Sequence, residues 1–304
     1  IINTVVAVVL SGIVGFPSIA LCQDEKFVFR VPVNGVVELG LAPFIERSIR
    51  EAQAVNASAI VLDIDTPGGR IDAAQRIADA IIDSPVPVYA FVNRRAFSAG
   101  ALICLATEGI YMRPGSVIGA ATPVDGGGNK ASEKIVSAMR SEMRALAESR
   151  GLDPEVAEAM VDESIAIPGL IESGKLLTLT TEEAVGLGYG KETDDFNSLL
   201  NDLGLSSATV KHMEVNWAER LVRFFSHPIV APFLLSLGFL GLIAEIKTPT
   251  VGLAGLAGLL ALLLFSPPIM AAENDPQAQA GNPEPAGEEL EASTAPESED
   301  IGIA

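Results

Sequence analysis

Three stretches of this chain carry no charged side chain: Ile1 to Gln23, Phe224 to Ala244 and Thr248 to Ala272. Each is long enough to cross a hydrocarbon core of about 30 Å, which takes about 20 apolar helical residues. The first reads as a secretory signal or N-terminal anchor, and Ser18-Ile19-Ala20 sets small residues where a signal peptidase inspects them. Cys22 follows the bulky Leu21, which argues against a lipid-modified cysteine. The second and third stretches flank Glu245-Ile246-Lys247 and predict a helical hairpin in the membrane. Gly252, Gly255 and Gly258 would thin one side of its last helix and let the two helices approach closely. The alternative is a hairpin buried in a large soluble core. Just ahead of the hairpin, Val215 to Phe224 mixes Trp217, Leu221 and Phe224 with Arg220 and Arg223, the pattern of a helix lying at a membrane surface.

The charged residues are confined elsewhere. Net charge is -19, which repels a phosphate backbone and excludes nucleic acid as a partner. Two Cys and two His rule out a cysteine-rich zinc site or a disulfide framework, and no metal or cofactor is expected. Nine of the 39 acidic residues fall in the tail from Glu273 to Ala304, which has no Lys or Arg and is rich in Pro, Ala, Gly and Ser. Such a segment cannot bury enough apolar surface to order itself and reads as a disordered acidic tail.

Between residues 26 and 213 the pattern changes to short β-rich runs alternating with amphipathic helical ones. Ala59 to Ile64 and Val86 to Val92 lack strict polar alternation, as strands covered on both faces do. Ile71 to Ile82 lies between them, with Ile71, Ala74, Ile77, Ala78 and Ile81 on one helical face. Strand, helix, strand implies a right-handed crossover and an α/β domain. A later helix spans about Ser132 to Arg150 and stops at Gly151, suited to a left-handed helix end.

Two strand-to-helix turns could carry chemistry. Asp65-Thr66-Pro67-Gly68-Gly69-Arg70 places two glycines where backbone N–H groups can face an anion without a side chain in the way. Phe97-Ser98-Ala99-Gly100-Ala101 places Ser98 at a helix start, either as an N-cap or as a nucleophile flanked by small residues. Adjacent parallel strands would bring both turns to one edge of the sheet. A nucleophilic Ser needs a base, and no His lies between Ser98 and Lys211. His212 and His227 sit next to the membrane segments, so a lysine of lowered pKa is the better candidate. Lys130 follows the Gly126-Gly127-Gly128 loop and reads as a solvated charge. Lys134 opens a helix whose apolar face (Ile135, Met139, Met143, Leu146) should pack on the body, which could desolvate its amine; a surface lysine in the first turn is the alternative that the local sequence favours.

Thr66-Pro67-Gly68-Gly69, Phe97-Ser98-Ala99-Gly100-Ala101 and Gly119-Ala120-Ala121-Thr122-Pro123, in that order, resemble the NfeD family of membrane-bound serine proteases. These are relatives of the Clp protease subunit and of signal peptide peptidase A. The resemblance extends over residues 27 to 268 and includes Glu245-Ile246-Lys247-Thr248-Pro249. It implies a Clp/crotonase-like α/β domain followed by a transmembrane hairpin. It also implies a Ser98–Lys134 dyad, with Gly68, Gly69 and the Ala99 N–H as the oxyanion hole. The implied substrate is an apolar segment of a stomatin-like membrane protein, and the implied assembly a homo-oligomer on membrane lipid. The acidic tail stands where many long members continue with more membrane helices and a small β-barrel.

The reading that results is a membrane-anchored serine endopeptidase. An N-terminal signal would place its body outside the cytoplasm, although Arg220, Arg223 and Lys247 run against the usual charge bias. Two rivals remain. A crotonase-like acyl-CoA enzyme would share paired N–H donors but needs neither Ser98 nor a membrane hairpin. A non-catalytic scaffold would keep the fold and bind a membrane partner.

Overall fold

The computed structural model describes residues 25–227, 229–247 and 252–265; the signal or anchor segment and the acidic tail lie outside these. The described chain falls into two compact units, one ending at Arg223 and one starting at Phe224.

The first unit is built on strands rich in apolar residues. β1 (Phe27–Asn34), β2 (Ala59–Thr66) and β3 (Val88–Phe97) lie side by side and parallel. Their crossovers are α1 (Leu41–Ala54) and α2 (Ile71–Ile82). Every residue of β2 except Asp65 is buried, as a strand covered on both faces must be. Asp63 tolerates this because Arg30 on β1 donates from Nε at 3.0 Å and Asn93 on β3 from Nδ2 at 3.3 Å. In α2 the buried face is Ala73, Ala74, Ile77, Ala78 and Ile81; Ile71, expected there, is half-buried at the helix start.

β3 changes partners half-way. Its first half pairs with β4 (Gly109–Met112) and its last residues, Arg95–Phe97, pair with β5 (Val117–Gly119). Between the pairs Ile64–Val92 and Thr66–Ala96, β3 advances four residues while β2 advances two. That irregularity bends the end of β3 away from the main sheet. α3 (Ala99–Ala106) follows and is buried along its whole length, which its uncharged sequence permits. α4 (Glu133–Ser149) ends at Gly151 with φ +69°, the left-handed stop its sequence predicts. α5 (Pro154–Ala159) comes next, and β6 (Thr178–Thr180) pairs antiparallel with β5. α6 (Thr181–Gly186) leads to β7 (Lys191–Glu192), which pairs with β4. α7 (Phe196–Asp202) covers the second face of the sheet through Phe196, Leu199 and Leu200, and β8 (Thr209–His212) closes the far edge beside β1.

α8 (Trp217–Ser226) follows β8. In the second unit, α9 (Val230–Lys247) is an 18-residue helix long and apolar enough to cross a membrane, and α10 (Leu253–Phe265) runs antiparallel to it. The uncharged run from Phe224 is therefore two helices. The turn expected at Glu245-Ile246-Lys247 is helical, because nothing in those residues breaks a helix before Pro249. Close approach rests on Gly238 and Gly258: a Cβ on Gly258 would lie 2.7 Å from the Gly238 carbonyl oxygen. Gly252, expected to thin the last helix, instead has φ +78° just before α10.

Candidate active site

Ser98 alone turns the chain from β3 into α3. Its backbone sits at φ +52°, ψ -117°, a conformation that costs a non-glycine residue about 1–3 kcal/mol and persists only where the surroundings enforce it. The enforcement is visible. The Ser98 N–H donates to the Gly119 carbonyl at 2.9 Å, and the Ser98 carbonyl accepts from Ala101 N–H at 2.9 Å and Leu102 N–H at 3.3 Å. A Cβ on Gly100 would come within 2.5 Å of Thr66 Cγ2, so the second position of α3 lies against β2 where a larger residue would push Thr66 aside. The Ser98 hydroxyl takes no part, since it makes no cap hydrogen bond to α3. The N-cap explanation of this serine fails, and its Oγ is left half-exposed at the tip of a held turn.

The glycine pair meets Ser98 directly. Gly68 has φ +101°, and a Cβ there would lie 2.6 Å from Ser98 Cβ and 3.2 Å from its Oγ. Residues 68–70 form a one-residue parallel bridge with Val37: Val37 N–H donates to Gly68 O at 2.9 Å, and Arg70 N–H to Val37 O at 2.9 Å. A Cβ on Gly69 would overlap the Val37 carbonyl. The bridge leaves the Gly69 N–H on the other side, without an acceptor among the described residues. The Gly68 N–H is occupied, donating to Thr66 Oγ1 at 3.0 Å, while that hydroxyl donates to Gly35 O at 2.6 Å. Of the two glycine donors expected from the sequence, the free one is therefore Gly69. The Ala99 N–H is the other open donor, at the first position of α3, where no intrahelical partner exists. α3 is fully buried, so the positive potential of its N-terminus is weakly screened.

The base is less defined. Lys134 lies in the first turn of α4, exposed, with neither hydrogen bond nor ion pair among the described residues. The desolvation expected from its neighbours is not present. The buried face of α4 is Val136, Met139, Met143, Leu146 and Ala147, so Met139, Met143 and Leu146 pack as expected while Ile135 lies outside the face at 46% exposure. Lys130 is paired with Glu163 at 3.0 Å, which holds its ammonium above the usual lysine range. His212 stands on the edge strand β8, separated from β3 by β1 and β2.

A chain of contacts that local sequence did not signal links α4 to Ser98. Arg140 on α4 pairs with the buried Asp162. Ser164 N–H and Oγ also donate to that carboxylate, at 3.0 and 2.8 Å. These two donors, then Arg140, hold the Asp162 carboxyl below the usual carboxylate range. The preceding Val161 carbonyl accepts from Thr122 Oγ1 at 2.6 Å, and Thr122 follows the Gly119 that holds the Ser98 N–H. Val37, Asp162 and Arg140 are distant in sequence from both turns.

The chain has relatives among known proteins. The NfeD1b N-terminal domain model matches residues 27–213, and the NfeD integral membrane domain model matches residues 229–277. The chain belongs to the NfeD1b family. It is 43% identical over 244 residues to the membrane protein NfeD1b of Bacillus subtilis (strain 168), covering 80% of this chain and 56% of that protein. It is 28% identical over 250 residues to the membrane-bound protease PH1510 of Pyrococcus horikoshii, covering 74% of this chain and 54% of that one. The chain thus spans about half the length of these curated relatives. Among solved structures, the 1510-N membrane-bound stomatin-specific protease, as a lysine-to-alanine variant in complex with a substrate peptide, superposes with a TM-score of 0.58 at 26% identity. That match covers 66% of this chain and 98% of the other. The NfeD1b-type domain is accordingly the Clp-like α/β fold, followed by a membrane segment.

Proposed function

We propose that this NfeD1b-family chain is a membrane-tethered serine endopeptidase in which Ser98 is the nucleophile and Lys134 the general base. The single observation that carries the reading is the turn at Ser98: a strained backbone, an unengaged hydroxyl and two open N–H groups beside it, on Gly69 and Ala99. Neutral Lys134 Nζ takes the proton as Ser98 Oγ bonds to the scissile carbonyl carbon. The oxyanion receives hydrogen bonds from Gly69 and Ala99. As the C–N bond breaks, the Lys134 ammonium returns the proton to the leaving amine, and water activated by the same amine releases the acyl group. Each oxyanion donor is worth about 3–4 kcal/mol of transition-state stabilisation. Gly68 serves by keeping the space beside Ser98 empty.

The related 1510-N protease holds a substrate peptide when a lysine is changed to alanine, which supports assigning proton transfer to a lysine. Its stomatin specificity supports, as the substrate class here, apolar segments of stomatin-like membrane proteins. The catalytic unit stands outside the cytoplasm in this reading.

One observation favours the scaffold reading instead: Lys134 is exposed and has no partner among the described residues. A serine-directed phosphonate decides between them. Wild type labels at Ser98 and Ser98→Ala does not; a folded wild-type chain that takes up no label leaves the scaffold.

A further inference from the structure

α8 presents its two faces in the reverse of the usual order. Its polar side is docked: Arg47 donates from Nε to Glu219 Oε1 at 2.7 Å and from Nη2 to Glu219 Oε2 at 2.9 Å. One turn on, Arg223 Nε donates to Glu38 Oε1 at 2.7 Å, and Glu38 is itself buried, its other oxygen accepting the Gly40 N–H at 2.7 Å. The apolar side is left outward. Trp217, Leu221 and Phe224, spaced i, i+4 and i+7, are 72%, 47% and 59% exposed. Arg220 lies beside them, exposed and without an ion pair among the described residues. Neither family match reaches this helix, since one ends at residue 213 and the other begins at 229.

We propose that α8 lies in the plane of the bilayer interface, with Trp217, Leu221 and Phe224 among the lipid acyl chains. We further propose that its Arg223–Glu38 pair straps the oxyanion segment to that surface. Chain length carries the first half. α8 ends at Ser226 and the membrane-crossing α9 begins at Val230. The residues between them span at most about 3.3–3.6 Å each, so the end of α8 stays within reach of the headgroups. An amphipathic helix held there turns its Trp, Leu and Phe side into lipid and leaves Arg for the headgroups. The second half follows from connectivity. Glu38 adjoins Val37, whose backbone pairs with Gly68 and Arg70, and Arg223 also donates to Asn34 O at 3.4 Å. The segment that positions Gly69 is thus gripped by a helix seated on the membrane. This half rests on the protease reading above; the lipid-facing half does not.

Trp217 is the sole tryptophan of the chain, so its fluorescence reports this face alone. The full chain is reconstituted in phosphatidylcholine–phosphatidylglycerol vesicles with and without bromine on the acyl chains. Trp217 emission should shift to the blue, be quenched by the brominated lipid and resist aqueous iodide, and Leu221→Glu should reverse all three. Quenching by iodide but not by brominated lipid overturns the proposal. So does shielding from both, which would mean a second copy of the chain covers the stripe. In the same vesicles Arg223→Gln, or the milder Glu38→Gln, should keep the lipid quenching and lower kcat about tenfold with KM changed by less than about twofold. An unchanged kcat in either folded variant overturns the strap. A wild-type chain that cleaves nothing removes the protease reading and the strap with it, while lipid quenching still decides the membrane face.

Discussion

Gly68→Ala tests whether the glycine beside Ser98 acts as a spacer. The new Cβ would stand 2.6 Å from Ser98 Cβ and 3.0 Å from the Phe97 carbonyl oxygen. Carbon atoms rest at about 3.5–4.0 Å, so the serine or the loop must give way by about 1 Å. The backbone adds its own strain, because φ is +101° at this position. The left-handed conformation costs alanine about 1–2 kcal/mol and overpacking about 1–3 kcal/mol, together about 2–5 kcal/mol of stability. A nucleophile displaced by about 1 Å loses about 10²-fold in rate. Gly151→Ala is the matched control, with φ +69° and nothing within 4 Å of the added methyl. It should lose about 1–2 kcal/mol, a Tm lower by about 2–8 °C, and keep its activity. The assay is the rate of phosphonate labelling at Ser98, read beside thermal melting. Wild-type labelling in Gly68→Ala, or an equal loss in Gly151→Ala, would refute the reasoning.

Ser98→Gly should abolish labelling yet raise stability by about 1 kcal/mol in thermal melts, because glycine relieves the strain at φ +52° and no cap bond is lost. Lys134→Ala should lose peptide cleavage as fully as Ser98→Ala, since members of one catalytic unit are not additive, whereas Lys130→Ala, which removes only a surface pair with Glu163, should cleave normally. The Asp162 carboxyl is held below its unfolded value of about 3.9, so its stabilisation is present above about pH 4 and is lost as pH falls through the folded value. Acid melts of wild type should therefore steepen below about pH 4, and Asp162→Asn should be less stable at neutral pH with a flatter acid limb.

Much of this protein was legible in its sequence because the relevant signals are local. The runs Ala59 to Ile64 and Val86 to Val92 lack the polar alternation of a half-exposed strand, and the period of Ile71 to Ile82 is that of a helix packed on them. Gly151 marked the end of α4, and the turn at Ser98 with its small neighbours marked the start of α3. Parallel neighbours then had to bring the Gly68–Gly69 and Ser98 turns to one edge. Which N–H groups stay open there was not legible. Gly68 donates to a hydroxyl two residues away, while the Gly69 loop is pinned by Val37, more than thirty residues earlier in the chain. Which of Ile135 and Val136 is buried was also hidden, because both are apolar and only the packing chose between them. Likewise a sequence can show that α8 has two faces but not which one docks. Buried Glu38 and half-buried Arg47, contributed by the first loop and helix, take its polar face and leave the tryptophan outside. Periodicity and turn chemistry are properties of neighbouring residues and survive in any window of sequence. Hydrogen-bond satisfaction and burial are settled between residues distant along the chain, and only the folded structure decides them.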